Sequence, residues 1–137
     1  MLRTQLLQPE MLAALGRLGH GSKVLIADGN FPFTTGANPA ATFVFLNLRP
    51  GLVNVTDVLE PLIATIPVEA VHVMQPNDGS TPPIFGEFSA LLPSHELQRV
   101  ERFAFYELAR TKDVGLVIAT GEARIYANIM LTIGVVV

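Results

Sequence analysis

The sequence predicts a single three-layer-like α/β domain with a central, partly parallel sheet, and three observations lead there. Short apolar runs at 23–27, 42–48, 70–74, 116–120 and 127–137 alternate with segments whose apolar residues recur at helical spacing. A length of 137 residues is enough to bury one core, and no internal repeat or boundary divides residues 1–137. Half of the residues are hydrophobic, 15% are charged, and the mean hydropathy is +0.43. That is more apolar surface than a soluble monomer covers by itself, so a homo-oligomer is expected.

Taken in order, Pro9 suits a first helical turn, and Met11, Leu12, Leu15 and Leu18 continue one apolar face to a stop at Gly19. His20 is thereby expected just past a helix C-terminus. Lys23 to Ala27 reads as a buried strand, followed by a loop running to about Pro39 and a second strand from Thr42 to Leu48. A helix is expected from about Thr56 to Ile66, with Asp57 and Glu60 in its first turn favouring the dipole. Pro61 implies a kink there or a later start. Ala70 to Met74 reads as a third strand, Gln75 to Pro83 as a polar turn region, and Gly86 to Leu92 as a short helix. From His95 to Lys112 the pattern fits either one long helix or a strand followed by a helix. Leu116 to Thr120 and Ala127 to Val137 complete the strands.

Composition also excludes. A net charge of −3 with dispersed Lys and Arg leaves no footprint for nucleic acid. The lack of Cys removes disulfides and thiolate chemistry, and His20, His72 and His95 show no metal-ligand spacing. No apolar run reaches the roughly 18–20 residues that span a bilayer. The first residues are too short and polar for a secretory signal, so a cytoplasmic protein is expected, and nothing in the sequence argues for a metal site.

Two polar groups stand out. Tyr126 and Asn128 are two residues apart, and on an extended strand their side chains would share a face. A phenol and a carboxamide projecting together suit a hydroxyl-rich ligand. The second group is His20-Gly21-Ser22 with Asp28, flanking the first apolar strand. Taken alone, His20 reads as a helix-terminal residue and Asp28-Gly29 as an ordinary turn. Phe31, Phe33, Phe43 and Phe45 read as core, with Phe31 or Phe33 available to cover a sugar face. His72 reads as structural or interfacial and His95 as a surface turn residue.

The runs Leu18-Gly19-His20-Gly21 and Ile26-Ala27-Asp28-Gly29-Asn30-Phe31-Pro32 resemble the N-terminal signature of the ribose pyranase and fucose mutarotase family. Arg102-Phe103-Ala104-Phe105-Tyr106-Glu107, Thr120-Gly121-Glu122 and Tyr126-Ala127-Asn128 resemble its fucose mutarotase branch. The motifs occur in order across nearly the whole chain, and the middle third contributes little. The resemblance implies a cytoplasmic, cofactor-independent enzyme that interconverts the anomers of a free monosaccharide. It also implies a ring-shaped homo-oligomer, typically decameric, with sites at subunit contacts. The family's general acid falls on His20, its sugar-binding carboxylate on Asp28, its basic contact on Arg102, and its C-terminal sugar-binding segment on Tyr126 to Asn128. Two departures bear on which sugar is bound: Ser22 stands where the fucose branch usually has an acid, and the spacing from Arg102 to Tyr126 is slightly longer.

Mutarotation moves one proton off the anomeric hydroxyl and another onto the ring oxygen. A histidine near its ordinary pKa serves both directions, with a general acid–base gain of about 10²- to 10⁴-fold. The competing expectations are a pyranase exchanging the ring forms of ribose, a non-catalytic sugar-binding or transport-accessory protein, and a ring scaffold without a ligand.

Overall fold

The computed structural model describes residues 1–137 throughout. Its centre is a six-stranded mixed sheet in the order β2-β5-β1-β6-β3-β4. These strands are β1 (Lys23–Ala27), β2 (Thr42–Phe45), β3 (Val68–Gln75), β4 (Leu97–Glu101), β5 (Val114–Ala119) and β6 (Ile129–Ile133). β5 pairs parallel with both β1 and β2, and β3 pairs parallel with β4. The last strand, β6, inserts antiparallel between β1 and β3 and joins the two parallel sets.

Both faces of the sheet are covered, so its inner strands are apolar at consecutive positions and do not alternate with polar residues. Four helices do the covering: α1 (Pro9–Leu15), α2 (Val55–Ile63), α3 (Ile84–Leu91) and α4 (Arg102–Ala109). Val24, Ile26, Leu116, Ile118, Ile129 and Leu131 face the first three helices, meeting Met11, Leu59, Leu62, Phe85 and Phe88 in a 23-residue core. Their neighbours Leu25, Ala27, Val117 and Met130 face the other way, onto Phe105 and Ala109 of α4 and Phe31 and Ala37 of the long loop. This second core has 10 buried residues. The three-layer expectation therefore holds, with unequal outer layers.

Local chemistry sets the element ends. The Gln8 side chain accepts the Met11 N–H at 2.7 Å to open α1, with Pro9 at its first position. That helix stops at Leu15, sooner than its apolar period suggests, so His20 lies in a turn several residues beyond it. Helix α2 starts at Val55, where the Asp57 carboxylate reaches back to the Asn54 N–H at 2.9 Å. It therefore begins before Pro61, not after it, and carries that proline two residues from its end; of the two expected acids only Asp57 lies in the first turn. The ambiguous stretch resolves as strand then helix. Glu101 ends β4, and its carboxylate accepts the Phe103 and Ala104 N–H groups at 3.0 and 3.1 Å, capping α4.

The phenylalanine cluster is only partly core. Phe31 is buried, Phe33 and Phe43 are half-buried, and Phe45 is 55% exposed. The excess apolar character expected from composition is visible on the surface at Leu48, Phe103, Ile125 and the C-terminal valines. No helix is long and apolar enough to cross a membrane.

Candidate active site

Strand β1 delivers Asp28 at its carboxyl end, where the chain leaves the sheet. β6 runs antiparallel beside β1, so the residue before β6, Asn128, returns to the same point. Asn128 Oδ1 accepts the Asp28 backbone N–H at 2.8 Å, which leaves the amide NH₂ of Asn128 free to donate elsewhere. The Asp28 carboxylate is buried and accepts the Asn30 N–H at 3.0 Å and the Ala127 N–H at 3.2 Å. Burial raises its pKa above the usual 3.8, outweighing those backbone bonds, which pull the other way. The nearby Glu122 charge adds to the rise.

Tyr126 does not reach the site as expected. Residues 124–126 form a turn rather than an extended strand, and Tyr126 adopts φ 58°, in the left-handed region. For a residue with a Cβ this costs about 1–2 kcal/mol. The turn brings the Ala127 N–H onto Asp28, so the phenol and the carboxamide converge through a tight bend and not through strand periodicity.

Arg102 is the first residue of α4. It donates from Nε to the Tyr106 hydroxyl at 3.4 Å, one turn along the same helix, and its guanidinium lies 5.6 Å from the Tyr106 ring centre. The Tyr106 hydroxyl raises the Arg102 pKa, favouring its charge. Asp28, Arg102, Tyr106, Tyr126 and Asn128 share one cavity of about 190 Å³, with Phe31 and Met74 supplying an apolar wall. This is smaller than the roughly 300–1,000 Å³ of cavities for drug-sized ligands, and it suits a single sugar ring. A larger cavity of about 700 Å³ adjoins it across Ile125 and Tyr126. Its one cation, Arg124, is already tied to carboxylates, so its lining offers no free cation.

The segment carrying Tyr126 and Asn128 is anchored by Glu122, which is 2% exposed. Glu122 Oε1 accepts the Arg124 backbone N–H at 3.1 Å and its Nε at 2.9 Å. Oε2 accepts Arg124 Nη2 at 2.9 Å and the Val55 N–H at 3.2 Å, at the start of α2. Burial opposes the charge on Glu122, but the bonds to Arg124 outweigh it and hold the carboxyl below its usual range. Arg124 also bonds Glu87 of α3, and its own pKa is raised.

Four of the five expected residues thus come together, and His20 does not. His20 sits before β1 and Asp28 after it, so the whole strand, about 16 Å at roughly 3.3 Å per residue, separates them. His20 is exposed, with Nε2 3.1 Å from Glu69 Oε1 at the start of β3. Of the other histidines, His72 is half-buried in β3, as expected. His95 is more than a surface turn residue, because its Nε2 bonds the Val68 carbonyl at 2.8 Å.

Two residues of the site, and one beside His20, escaped the sequence reading. Tyr106 is visible only once α4 is known to start at Arg102, which places the two at i, i+4. Glu122 stands inside a recognised motif, but nothing local marks it as an anchor. Glu69 is 49 residues from His20 and offers no sequence signal. No group of three or more His, Cys, Asp or Glu is placed to hold a metal ion.

Residues 1–136 match the model of the RbsD / FucU transport protein family, and the chain belongs to that family. It is 33% identical to the fucose mutarotase of Homo sapiens over 144 residues, covering 95% of this chain and 90% of that protein. It is 32% identical to a D-ribose pyranase of Streptomyces avermitilis, with 98% of each covered. Among solved structures it resembles the fucose mutarotase of Streptococcus pneumoniae in complex with L-fucose, with TM-score 0.85, 26% identity and full coverage of both chains. Bacillus subtilis RbsD complexed with D-ribose matches with TM-score 0.82 and 28% identity, again over the whole of both chains.

Proposed function

We propose that this RbsD / FucU family member is a cofactor-independent isomerase, a mutarotase that interconverts the anomers of a free monosaccharide, L-fucose or a related aldose. The observation that carries the reading is a buried carboxyl of raised pKa, Asp28, sharing a ring-sized cavity with Arg102, Tyr126 and Asn128. It is supported by relatives at about a third identity that are fucose mutarotases.

The chemistry follows from these groups. Asp28 accepts the proton of the anomeric hydroxyl as the C1–O5 bond breaks and C1 becomes a carbonyl. A general acid supplies a proton to the ring oxygen. After rotation about C1–C2 the two transfers reverse, and the ring closes on the other face of C1. Every bond made or broken is C–O or O–H, so the balance needs no electron acceptor. Arg102 and the Asn128 NH₂ donate to sugar hydroxyls, the Tyr126 hydroxyl fixes the ring, and Phe31 with Met74 meets its apolar edge.

His20 is the general acid in this reading, and it acts in the pocket of a neighbouring subunit. Its distance from the Asp28 of its own chain supports that assignment, as does the exposed apolar surface at Phe45, Leu48, Phe103 and Ile125. Glu69 would hold the imidazole in a fixed orientation. A head-to-tail contact of this kind makes a ring when its rotation closes, and the family resemblance suggests a decamer working in the cytoplasm.

The test is saturation-transfer NMR on fucose, ribose and a small panel of other aldoses. Exchange between the anomeric signals of fucose is expected to accelerate in proportion to added protein. Acceleration confined to the pyranose–furanose exchange of ribose would transfer the assignment to the pyranase branch. Acceleration of none would overturn catalysis and leave a sugar-binding protein.

A further inference from the structure

We propose a second ligand site, for a phosphate group, in the crevice outside the carboxyl ends of β1, β2 and β5. Those three strands are adjacent and parallel, and the crevice beyond the carboxyl ends of parallel strands is where open α/β sheets bind ligands. A cavity of about 310 Å³ occupies it, separate from the sugar pocket but sharing Asn30 with it.

The walls of this cavity are held rigidly. Gly121 lies against the turn at 49–52, donating its N–H to the Val53 carbonyl at 3.0 Å and accepting the Gly51 N–H at 2.6 Å. A Cβ at Gly121 would overlap the Leu52 and Arg49 carbonyl oxygens, so only glycine allows this approach. Opposite, the Gly29 N–H donates to the Glu122 carbonyl at 2.9 Å.

The lining selects an anion. Arg49 is one of the residues lining the cavity, and none of the ion pairs of the chain includes it. Asn30 and Asn47 line the same cavity, and their side-chain amides, which bond no other group of the chain, offer neutral donors. Glu122 is the only acid in the lining, and its charge is already met by Arg124. A guanidinium flanked by amide donors matches a phosphate, whose oxygens accept from all of them. The source is either inorganic phosphate or the phosphomonoester of a sugar. Because Asn30 borders both cavities and its N–H holds Asp28 Oδ1, an occupant here adjoins the sugar site without competing for it.

Calorimetric titration of the intact oligomer with inorganic phosphate, and separately with glucose 1-phosphate, tests this independently of turnover, so a chain that moved no sugar anomers would still pass or fail. Saturable binding of one phosphate per chain, weakened by added salt, is expected. Arg49→Met should lower the affinity at least about tenfold, with Arg49→Lys intermediate, because the bidentate fork is lost first. Equal affinity for the two probes would identify free phosphate as the ligand, and a tighter ester would identify the sugar phosphate. Thermal melting of Arg49→Met checks that its fold is intact. No saturable binding of either probe overturns the proposal. So does binding that Arg49→Met leaves unchanged or that Arg102→Met abolishes, since the anion would then lie elsewhere.

Discussion

Replacing Glu122 by Gln asks whether one buried carboxylate holds the site segment in place. The substitution keeps the shape but turns one acceptor oxygen into an NH₂. Whichever oxygen is lost, an Arg124 guanidinium bond goes with a backbone N–H bond, and donors then face donors. A charge-assisted bond contributes about 1.5–3 kcal/mol and a neutral one about 1 kcal/mol. The Arg124 side chain is 42% exposed and rehydrates, so the lower part of that range applies. The total is about 3 kcal/mol. With an unfolding entropy of about 2.1 cal/mol/K per residue, this chain should lose about 10 °C in Tm.

Glu122 also leaves a signature in pH. Its folded pKa lies below the ordinary 4.5, so its contribution to stability is complete above that value and is lost as pH falls through the lowered folded pKa. Subtracting the Tm profile of Glu122→Gln from that of the wild type should therefore give a difference that shrinks below about pH 4.5. Anomer exchange should fall by about tenfold or more as Tyr126 and Asn128 lose their register. Circular dichroism melts from pH 7 downward, with exchange NMR at pH 7, measure all three. A Tm within about 2 °C of wild type with an unchanged acid slope would refute the anchoring argument.

Two further predictions concern the site itself. If Asp28 works as the charged acceptor, exchange catalysis should fall on acidification with a half-point above the 3.8 of a free aspartate, since burial raises its pKa, and Asp28→Asn should lose about 10²-fold or more and show no such limb; a limb unchanged in the variant would remove Asp28 from that role. If His20 serves a neighbour, mixed oligomers of His20→Ala and Asp28→Asn chains should regain about a quarter of wild-type activity, because about one site in four would pair an intact Asp28 with an intact His20. Co-expression with two affinity tags gives the mixture, and no recovery in verified mixed rings would place both residues in one chain's site or neither.

The legibility of this chain follows the range of the interactions involved. Strand β1 was readable to the residue because Lys23 and Asp28 bracket a wholly apolar run between two turn-forming stretches. The Glu101–Arg102 junction was not, because strand and helix abut without a loop and Phe103, an exposed apolar residue, blurs the helical period. Asp28 and Arg102 were singled out through motifs and Tyr126 and Asn128 first through their spacing, yet the geometry inferred for Tyr126 was wrong, since nothing in its neighbours announces a left-handed bend at a residue with a side chain. The separation of His20 from Asp28 needed only the length of β1. The partnership of His20 with Glu69 needed the fold, because β6 must insert between β1 and β3 before their ends meet.

The unequal layers on the two faces of the sheet have a dynamic consequence. Cooperative opening starts where the fewest apolar contacts must be given up, and here that is the side roofed by α4 and the loop through Phe31. Amide protons around Phe105 and Ala109 should therefore trade with solvent deuterium through small local fluctuations, while those of Val58 to Leu62 wait for the whole molecule to come apart. Arg102 and Tyr106 ride on the looser roof, so the breathing of that layer carries one wall of the cavity with it.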